Sequence, residues 1–201
     1  MKKYKVMVFD LGNTILKFDH NIAVRKIANL FRLDSRALYD AFFDSDLTRA
    51  FEKGLIPPKD FHRKISERFS FSLPFEDFAA IWNDIFWEDE LSCELARELK
   101  RSYRLYLLSN INRMHFEYIM ERFDIIDIFD EIIASYAVGA MKPEKAIYDD
   151  VIRRAGGDKD SLFYIDDRQD LIDEAKLLGI DSIRYEGAEK LREEMSSRGI
   201  L

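Results

Sequence analysis

Short apolar runs lie near the start of the chain and recur through its second half. They are rich in β-branched and aromatic side chains, and each has the length of a buried strand. The pattern predicts five strands, over residues 4–9, 103–108, 131–135, 161–165 and 180–184.

Amphipathic helical patterns separate the later strands. Strands that alternate with such helices imply a parallel sheet with helices on both faces, so the predicted fold class is α/β. The apolar faces are formed by Phe116, Ile119, Met120 and Phe123, by Ile147, Val151 and Ile152, and by Leu171, Ile172, Ala175 and Leu178.

Residues 17 to 89 break this alternation, because their apolar spacings are helical from one end to the other. The sequence therefore predicts a helical module inserted between the first strand and the rest of the sheet. We interpret its many aromatic residues as the core of a small bundle rather than as a ligand cage. Its helices are predicted over residues 22–33, 35–43, 58–69 and 74–87.

Composition narrows the possible functions and partners. The chain has 201 residues, of which 47% are hydrophobic and 34% charged, as in an ordinary soluble protein with one domain carrying an insertion. A net charge of −7 provides no basic surface for nucleic acid or for an anionic membrane. We expect a cytoplasmic protein, because the N-terminal apolar run is too short for a signal peptide and no later run approaches a membrane span. The single cysteine, Cys93, is expected to be a buried or half-buried thiol in a reducing compartment.

Polar residues with chemical potential lie where the predicted strands end. Because the carboxyl ends of parallel strands open at one edge of a sheet, residues far apart in sequence can converge there. Taken singly, each has an ordinary alternative as a turn residue, a helix cap or a solvated lysine. The neighbouring pair of carboxylates is the exception, because the two repel unless a cation or a proton relieves them. In chain order these residues are Asp10, Ser109 with Asn110, Lys142, and Asp166 with Asp167.

Together the segments FDLGNT, LLSN, MKPE and YIDD resemble the four motifs of the haloacid dehalogenase superfamily of phosphotransferases. The resemblance covers nearly the whole chain, because one subfamily carries a small α-helical cap after the first motif. FDLGNT, SNINR and KPEKAIY look especially like bacterial phosphatases that act on α-D-glucose 1-phosphate. The implied fold is a Rossmann-like parallel sheet core, residues 1–16 and 90–201, with an inserted α-helical cap domain, residues 17–89.

The resemblance implies a Mg²⁺-dependent phosphatase that acts on a small phosphate monoester. Asp10 would be the nucleophile that forms an aspartyl-phosphate, which water then hydrolyses. A bare carboxylate repels a phosphate dianion, so a divalent cation has to join them. The implied Mg²⁺ ligands are Asp10, Asp166, Asp167 and the backbone carbonyl of Gly12.

Three further residues complete the implied site. The Ser109 hydroxyl and backbone amides near Asn110 would bind the phosphoryl oxygens. Lys142 would contact the substrate and offset charge on the nucleophile and the phosphate.

Gly12 departs from the pattern of most phosphatases in the superfamily, although the phosphatases that act on α-D-glucose 1-phosphate share the segment DLGN. Most phosphatases of the superfamily have a second aspartate there, a general acid and base typically worth ~10² to 10⁴ in rate. Three explanations are open. The leaving group is acidic, as an anomeric hydroxyl is; another group, such as water, Asp19 or His20, takes over; or turnover is lost and the protein only binds. A lone histidine such as His20, His62 or His115 is more often a surface or packing residue.

The alternatives to a phosphatase on this fold are a non-catalytic ligand- or protein-binding protein, a haloacid dehalogenase and a phosphomutase. A dehalogenase needs no metal, whereas the Asp166–Asp167 pair favours one. A phosphomutase has to transfer the phosphoryl group back to its product, which is harder to explain without an acid at Gly12. A non-catalytic binding protein gains little from Lys142 together with Asp166 and Asp167.

The cap is expected to close over the site and exclude water. Its turn around Arg49, Glu52, Lys53 and Gly54 either reaches toward substrate, as in related proteins, or is a solvated charged turn.

Overall fold

A computed structural model describes residues 3–201 of the chain. In this part of the chain there are seven strands, β1 (Val6–Phe9), β2 (Leu16–Phe18), β3 (Phe86–Glu88), β4 (Arg104–Ser109), β5 (Glu131–Ala134), β6 (Leu162–Asp166) and β7 (Asp181–Arg184). The α-helices of the same part are α1 (His20–Phe31), α2 (Ser35–Phe43), α3 (Asp46–Glu52), α4 (Pro58–Phe69), α5 (Phe75–Asn83), α6 (Glu90–Lys100), α7 (Arg113–Arg122), α8 (Ser135–Val138), α9 (Lys145–Arg154), α10 (Gln169–Leu177) and α11 (Ala188–Ser197).

The centre of the structure is a parallel sheet with the strand order β5-β4-β1-β6-β7. Phe9, at the end of β1, lies opposite Leu107 of β4 and Ile165 of β6. The first strand of the chain is thus the middle strand of the sheet, with later strands added on both sides. The predicted α/β fold with a parallel sheet is confirmed. The crevice at the carboxyl end of β1 is where such a sheet binds ligands.

Both faces of the sheet are buried. In β1, Met7 and Phe9 belong to one hydrophobic cluster, while Val6 and Val8 belong to the cluster on the opposite face. This alternation follows from the two-residue period of a strand. It explains why the run is apolar at every position, since neither face meets water.

The helices α1 to α5 enclose a hydrophobic cluster of their own. Its largest members are aromatic and fully buried, and the rings of Phe51 and Phe61 stack with their centroids 4.3 Å apart. Met114 of α7 joins this cluster, so the module packs against the sheet domain through α7. The aromatic residues form a core, as the sequence pattern indicated. The cluster includes Phe42, Phe51, Phe61, Phe78 and Trp82.

The connection between the helical module and the sheet differs from the prediction. The helix expected over residues 74–87 ends at Asn83, and β3 pairs antiparallel with β2. Residues 85–87 are apolar and fit a helix face or a strand equally well, so a partner strand about seventy residues away decides between them. The predicted division after residue 16 falls within β2, and the division before residue 90 falls at the start of α6. The exact domain boundaries stay a prediction.

A further helix, α3, was not predicted. Ser45 caps its first turn by accepting a hydrogen bond from the backbone N–H of Thr48 at 3.2 Å. The helix is too short for a periodic apolar face to stand out in the sequence. Its last residue, Glu52, is the point at which the helical module reaches the cavity described next.

None of the helices in residues 3–201 combines the length and the apolar character needed to span a membrane.

Candidate active site

All of the residues singled out at the strand ends line one cavity at the carboxyl edge of the sheet. The cavity has a volume of about 350 Å³, within the range of small-molecule sites. Parallel strands bring the residues together, although 157 positions separate the first from the last (167 − 10). From the sheet domain the cavity is lined by Asp10, Gly12, Ser109, Asn110, Lys142, Asp166 and Asp167, among others.

Lys142 is the centre of this arrangement. Its buried ammonium group donates hydrogen bonds to Asp10 Oδ1 at 2.5 Å, to Asp166 Oδ2 at 2.6 Å and to the carbonyl oxygen of Leu108 at 3.1 Å. Burial opposes the charged form of the lysine. The two carboxylates outweigh that effect and hold the pKa of Lys142 above its ordinary value.

Asn110 holds the loop that carries this lysine. Its side-chain oxygen accepts from the Lys142 backbone N–H at 2.7 Å, and its Nδ2 donates to the Lys142 carbonyl oxygen at 2.8 Å. Two hydrogen bonds thus join the end of β4 to a loop 32 residues further along the chain. The Asn110 side chain therefore positions Lys142, a role that the sequence did not predict.

Asp166 is fully buried and both of its oxygens have donors. Oδ2 accepts from the hydroxyl of Tyr164 as well as from Lys142, and Oδ1 accepts from the backbone N–H of Arg168 at 2.9 Å. Tyr164 was missed by sequence reasoning. Its position two residues before Asp166 on β6, and so on the same face of the sheet, was the available signal.

The carboxylates of Asp10, Asp166 and Asp167 suit a divalent cation. One oxygen atom from each lies within 4.8 Å of the others. Burial raises the pKa of Asp10, Lys142 lowers it, and the charges of Asp166 and Asp167 raise it again. Burial and Asp166 also raise the pKa of Asp167. Lys142 offsets one of the three negative charges, so a divalent cation would balance the cluster, and oxygen ligands favour Mg²⁺ or Ca²⁺.

Gly12 is a glycine because an aromatic ring occupies the space beside it. A Cβ atom at Gly12 would lie 2.7 Å from Cε1 of Phe18, too close for the ring to stay in place. Its φ angle is not in the left-handed region, so backbone conformation is not the reason. Phe18 belongs to β2 and packs against His20 and Phe86, with ring centroids at 4.7 and 6.0 Å. The space where an acidic side chain would begin is filled by Phe18.

The two groups named as substitutes for the missing acid are poorly suited to that task. Asp19 caps α1, accepts hydrogen bonds from the backbone and side chain of Asn21, and has a lowered pKa because of those bonds. His20 does line the cavity, but its ring lies flat against Phe43, with centroids 3.7 Å apart and planes at 4°. Burial lowers the pKa of His20 to about 4, so the ring is neutral at neutral pH.

His115 and His62 are packing residues. Both ring nitrogens of His115 are occupied, with Nε2 3.0 Å from the Trp82 carbonyl oxygen and Nδ1 3.0 Å from Nδ2 of Asn112. Burial lowers the pKa of His115 to about 3. His62 packs beside Phe78 in the helical module, with ring centroids 4.8 Å apart.

The end of α3 and the turn after it contact the sheet domain, although Arg49 and Gly54 are exposed. Arg49 and Glu52 line the cavity, and Lys53 forms an ion pair with Glu144. A Cβ atom at Gly54 would overlap the carbonyl oxygen of Tyr136, so this glycine is needed for a close approach.

Cys93 is buried as expected, and burial raises the pKa of its thiol to about 12. It does not line the cavity.

With this geometry established, the family of the chain follows from comparison with known proteins. Residues 4–179 match the sequence profile of haloacid dehalogenase-like hydrolases, and the chain belongs to that family. The predicted superfamily is therefore confirmed.

Two similar proteins are named phosphatases. The chain is 26% identical to a D-ribitol-5-phosphate phosphatase of Bacteroides thetaiotaomicron over 199 residues, covering 96% of this chain and 97% of that protein. It is 25% identical to the sesquiterpene phosphatase astK of Aspergillus oryzae, covering 88% of this chain and 87% of that protein. A solved HAD family enzyme from B. thetaiotaomicron, in complex with magnesium and inorganic phosphate, has a TM-score of 0.81 and 26% identity. That similarity covers 90% of this chain and 93% of the solved one.

Proposed function

We propose that this protein is a Mg²⁺-dependent phosphatase that hydrolyses a small phosphate monoester through an aspartyl-phosphate on Asp10. The observation that carries the proposal is the buried Lys142 ammonium, which joins Asp10 to Asp166 beside a third carboxylate. This arrangement combines a nucleophile, a fixed positive charge and cation ligands within one cavity. The phosphatases among the similar proteins support the same reaction class.

Asp10 is the nucleophile in this proposal. Its backbone N–H donates to the Ile165 carbonyl oxygen at 2.8 Å, so the residue is anchored to β6 just beyond the end of β1. Lys142 holds Oδ1, which fixes the direction of the carboxylate. An oriented carboxylate at a rigid strand end needs little rearrangement before it attacks phosphorus.

Asp10, Asp166, Asp167 and the backbone carbonyl of Gly12 would hold Mg²⁺. When bound, Mg²⁺ supplies positive charge that allows a carboxylate and a phosphate dianion to approach each other. The magnesium complex of the similar B. thetaiotaomicron enzyme supports this choice of metal.

The phosphoryl oxygens are bound from the other side of the cavity. The Ser109 hydroxyl and backbone amides near Asn110 would donate to them, and Lys142 would offset their charge. All three residues line the cavity. Asn110 would thus act twice, through its backbone region on the substrate and through its side chain on Lys142.

The substrate class is set by the remaining walls. Phe18, Phe43 and Phe86 offer aromatic faces, while Arg49 and Glu52 offer polar groups. Such a mixture suits a small polyhydroxylated alcohol, whose C–H and O–H groups need both kinds of contact. We propose a sugar or polyol phosphate, with α-D-glucose 1-phosphate as the first candidate and D-ribitol 5-phosphate as the second. Residues 17–89 would act as the cap that closes over it.

The test is phosphate release from a panel of esters, with and without Mg²⁺. The panel holds α-D-glucose 1-phosphate, D-ribitol 5-phosphate, farnesyl phosphate and p-nitrophenyl phosphate. We expect Mg²⁺-dependent turnover that is highest on the sugar and polyol phosphates, and a loss on the order of 10⁴ or more in Asp10→Asn. The control is Asp127→Asn, an exposed aspartate outside the cavity, which should keep wild-type activity.

Unchanged turnover in Asp10→Asn would contradict the nucleophile assignment. Full activity after EDTA treatment would remove the metal from the mechanism. If none of the four esters is cleaved, the proposed activity on these substrates is contradicted, and a binding protein or a different reaction takes its place.

A further inference from the structure

We propose that Glu52, at the end of cap helix α3, is the proton-transfer group that replaces the acid absent at Gly12. It would protonate the leaving oxygen of the ester and then take a proton from the water that hydrolyses the aspartyl-phosphate. This inference rests on the proposed function, because it assigns a step of that reaction.

The first argument is the set of carboxyl groups in the cavity. Among the described residues, four carboxylates line it, and Asp10, Asp166 and Asp167 form the cluster around Lys142. Glu52 is the fourth, and it comes from the opposite wall. A proton donor to the leaving group has to face the nucleophile across the phosphorus atom, since attack and departure lie roughly in line. With no acid at Gly12 on the sheet wall, the cap wall is the remaining place from which such a group can come.

The second argument is that the other ionisable side chains of the cavity are unsuitable. The half-buried ring of His20 and the buried ring of His115 are neutral near pH 7, because burial lowers the pKa of both, and His115 has both nitrogens occupied. Arg49 and Arg168 are guanidinium groups, which can donate hydrogen bonds but do not serve as general acids or bases in proteins. Glu52 is thus the cap residue in the cavity that can both give and accept a proton near neutrality.

The third argument is that the backbone holding Glu52 is fixed to the core. The buried Ser135 hydroxyl donates to the Glu52 carbonyl oxygen at 2.7 Å. The next two residues also contact the core, Lys53 by its ion pair with Glu144 and Gly54 by its close approach to Tyr136. These contacts dock α3 on the segment 135–144, which also carries Lys142. The nucleophile's partner and the proposed acid are therefore positioned by one stretch of backbone.

The protonation state of Glu52 agrees with the role. Burial raises the pKa of Glu52 to about 7, although Arg168 and Arg49 oppose the shift. Each of these arginines has a carboxylate partner of its own, Asp170 and Asp46 respectively. A carboxyl group that titrates near the operating pH is suited to general acid and base catalysis.

The two half-reactions balance with one proton carried by Glu52. In the first, the bond from Asp10 to phosphorus forms, the bond from phosphorus to the ester oxygen breaks, and the Glu52 carboxylic acid protonates that oxygen to release an alcohol. In the second, water attacks phosphorus, the bond from Asp10 breaks, and the Glu52 carboxylate takes the water's proton. Inorganic phosphate is released, and the Asp10 carboxylate and the protonated Glu52 are regenerated.

The test compares Glu52→Gln on two esters with different leaving groups. Nitrophenolate departs without protonation, whereas an alkoxide needs a proton. We expect kcat/KM on the preferred sugar or polyol phosphate to fall by about 10² to 10³, and kcat/KM on p-nitrophenyl phosphate to change by less than about threefold. For the wild type, kcat/KM on the sugar or polyol phosphate should decline above about pH 7, where Glu52 loses its proton. Glu52→Gln should lack that decline.

Two control variants accompany this test. Glu76→Gln changes an exposed glutamate of α5 outside the cavity and should have no effect. Glu52→Asp keeps the acid on a shorter side chain, so it should retain the decline at high pH with a lower rate. That pH dependence separates proton transfer from a purely structural role.

Equal losses on both esters, or no loss on either, would overturn the role of Glu52 while leaving the phosphatase proposal intact. An absence of Asp10-dependent turnover in the wild type would overturn the proposed function and this inference together.

Discussion

The two walls of the cavity are built in opposite ways. The sheet wall holds charges, with Lys142 bound between Asp10 and Asp166 at strand ends whose backbones are hydrogen-bonded to neighbouring strands. The cap wall holds stacked rings, of which His20 on Phe43 is the closest pair. Buried charges need rigid, fully paired surroundings, whereas apolar packing tolerates variation. The difference supports our proposal that the sheet wall carries the nucleophile and the cap wall contacts the leaving group.

The strongest test of this contrast removes the charge at the centre of the sheet wall. Lys142→Met leaves Asp10 and Asp166 buried without their partner, so we expect the free energy of unfolding to fall by about 3–5 kcal/mol. Urea unfolding at pH 7 measures the change. The control is Lys145→Met, which removes an exposed lysine paired with Asp149 and should change stability by less than about 1 kcal/mol. Similar small losses in both variants would contradict the contrast.

A second test addresses the point where the two walls meet. Gly12→Ala forces a methyl group against the Phe18 ring, and we expect a loss of about 1–3 kcal/mol in unfolding free energy. The same change in a Phe18→Leu background should cost less, because the ring edge is gone. A double-mutant cycle measures this coupling. Additive effects of the two substitutions would mean that the Phe18 ring is not the reason for glycine at position 12.

The smallest expected effect concerns acid stability of the cap wall. The pKa of His20 is lowered from 6.5 to about 4, chiefly by burial. As pH falls from 6.5 to 4, the unfolded chain binds a proton at His20 that the folded chain does not, so stability is lost. His20→Phe keeps a stacked ring but removes this proton site. Because His20 is partly exposed, we expect the wild type to lose on the order of 1 kcal/mol more than the variant between pH 7 and pH 4.

Urea unfolding of both proteins across that pH range measures the difference. Parallel stability curves would show that burial of His20 carries no electrostatic cost.

Sequence patterns predicted the sheet well and the cap less well. The strands around β1 were recognisable because both of their faces are buried, which leaves an uninterrupted apolar run. By contrast, α3 and the ribbon of β2 and β3 were not predicted, since each has seven residues or fewer. Short segments depend on partners distant in sequence, and local periodicity does not contain that information.

The site was also predicted only in part from the sequence. All seven candidate site residues taken from the four motifs line the cavity, because strand ends converge by topology alone. Tyr164 and Phe18 were missed, although both contact that site, on Asp166 and beside Gly12. Glu52 was noted only as part of a charged turn. What these three residues touch depends on packing between segments, which spacing along the chain does not specify.

The amino-acid sequence by itself therefore determined the α/β class, the inserted helices and the set of charged residues at the strand ends. These follow from local periodicity and from the rule that parallel strands open at one edge. Only the tertiary structure decided that Asn110 holds Lys142, that Phe18 fills the space beside Gly12 and that Glu52 lines the cavity. Each of these depends on contacts between the sheet, the cap and their connection, and such contacts exist only once the segments have packed together.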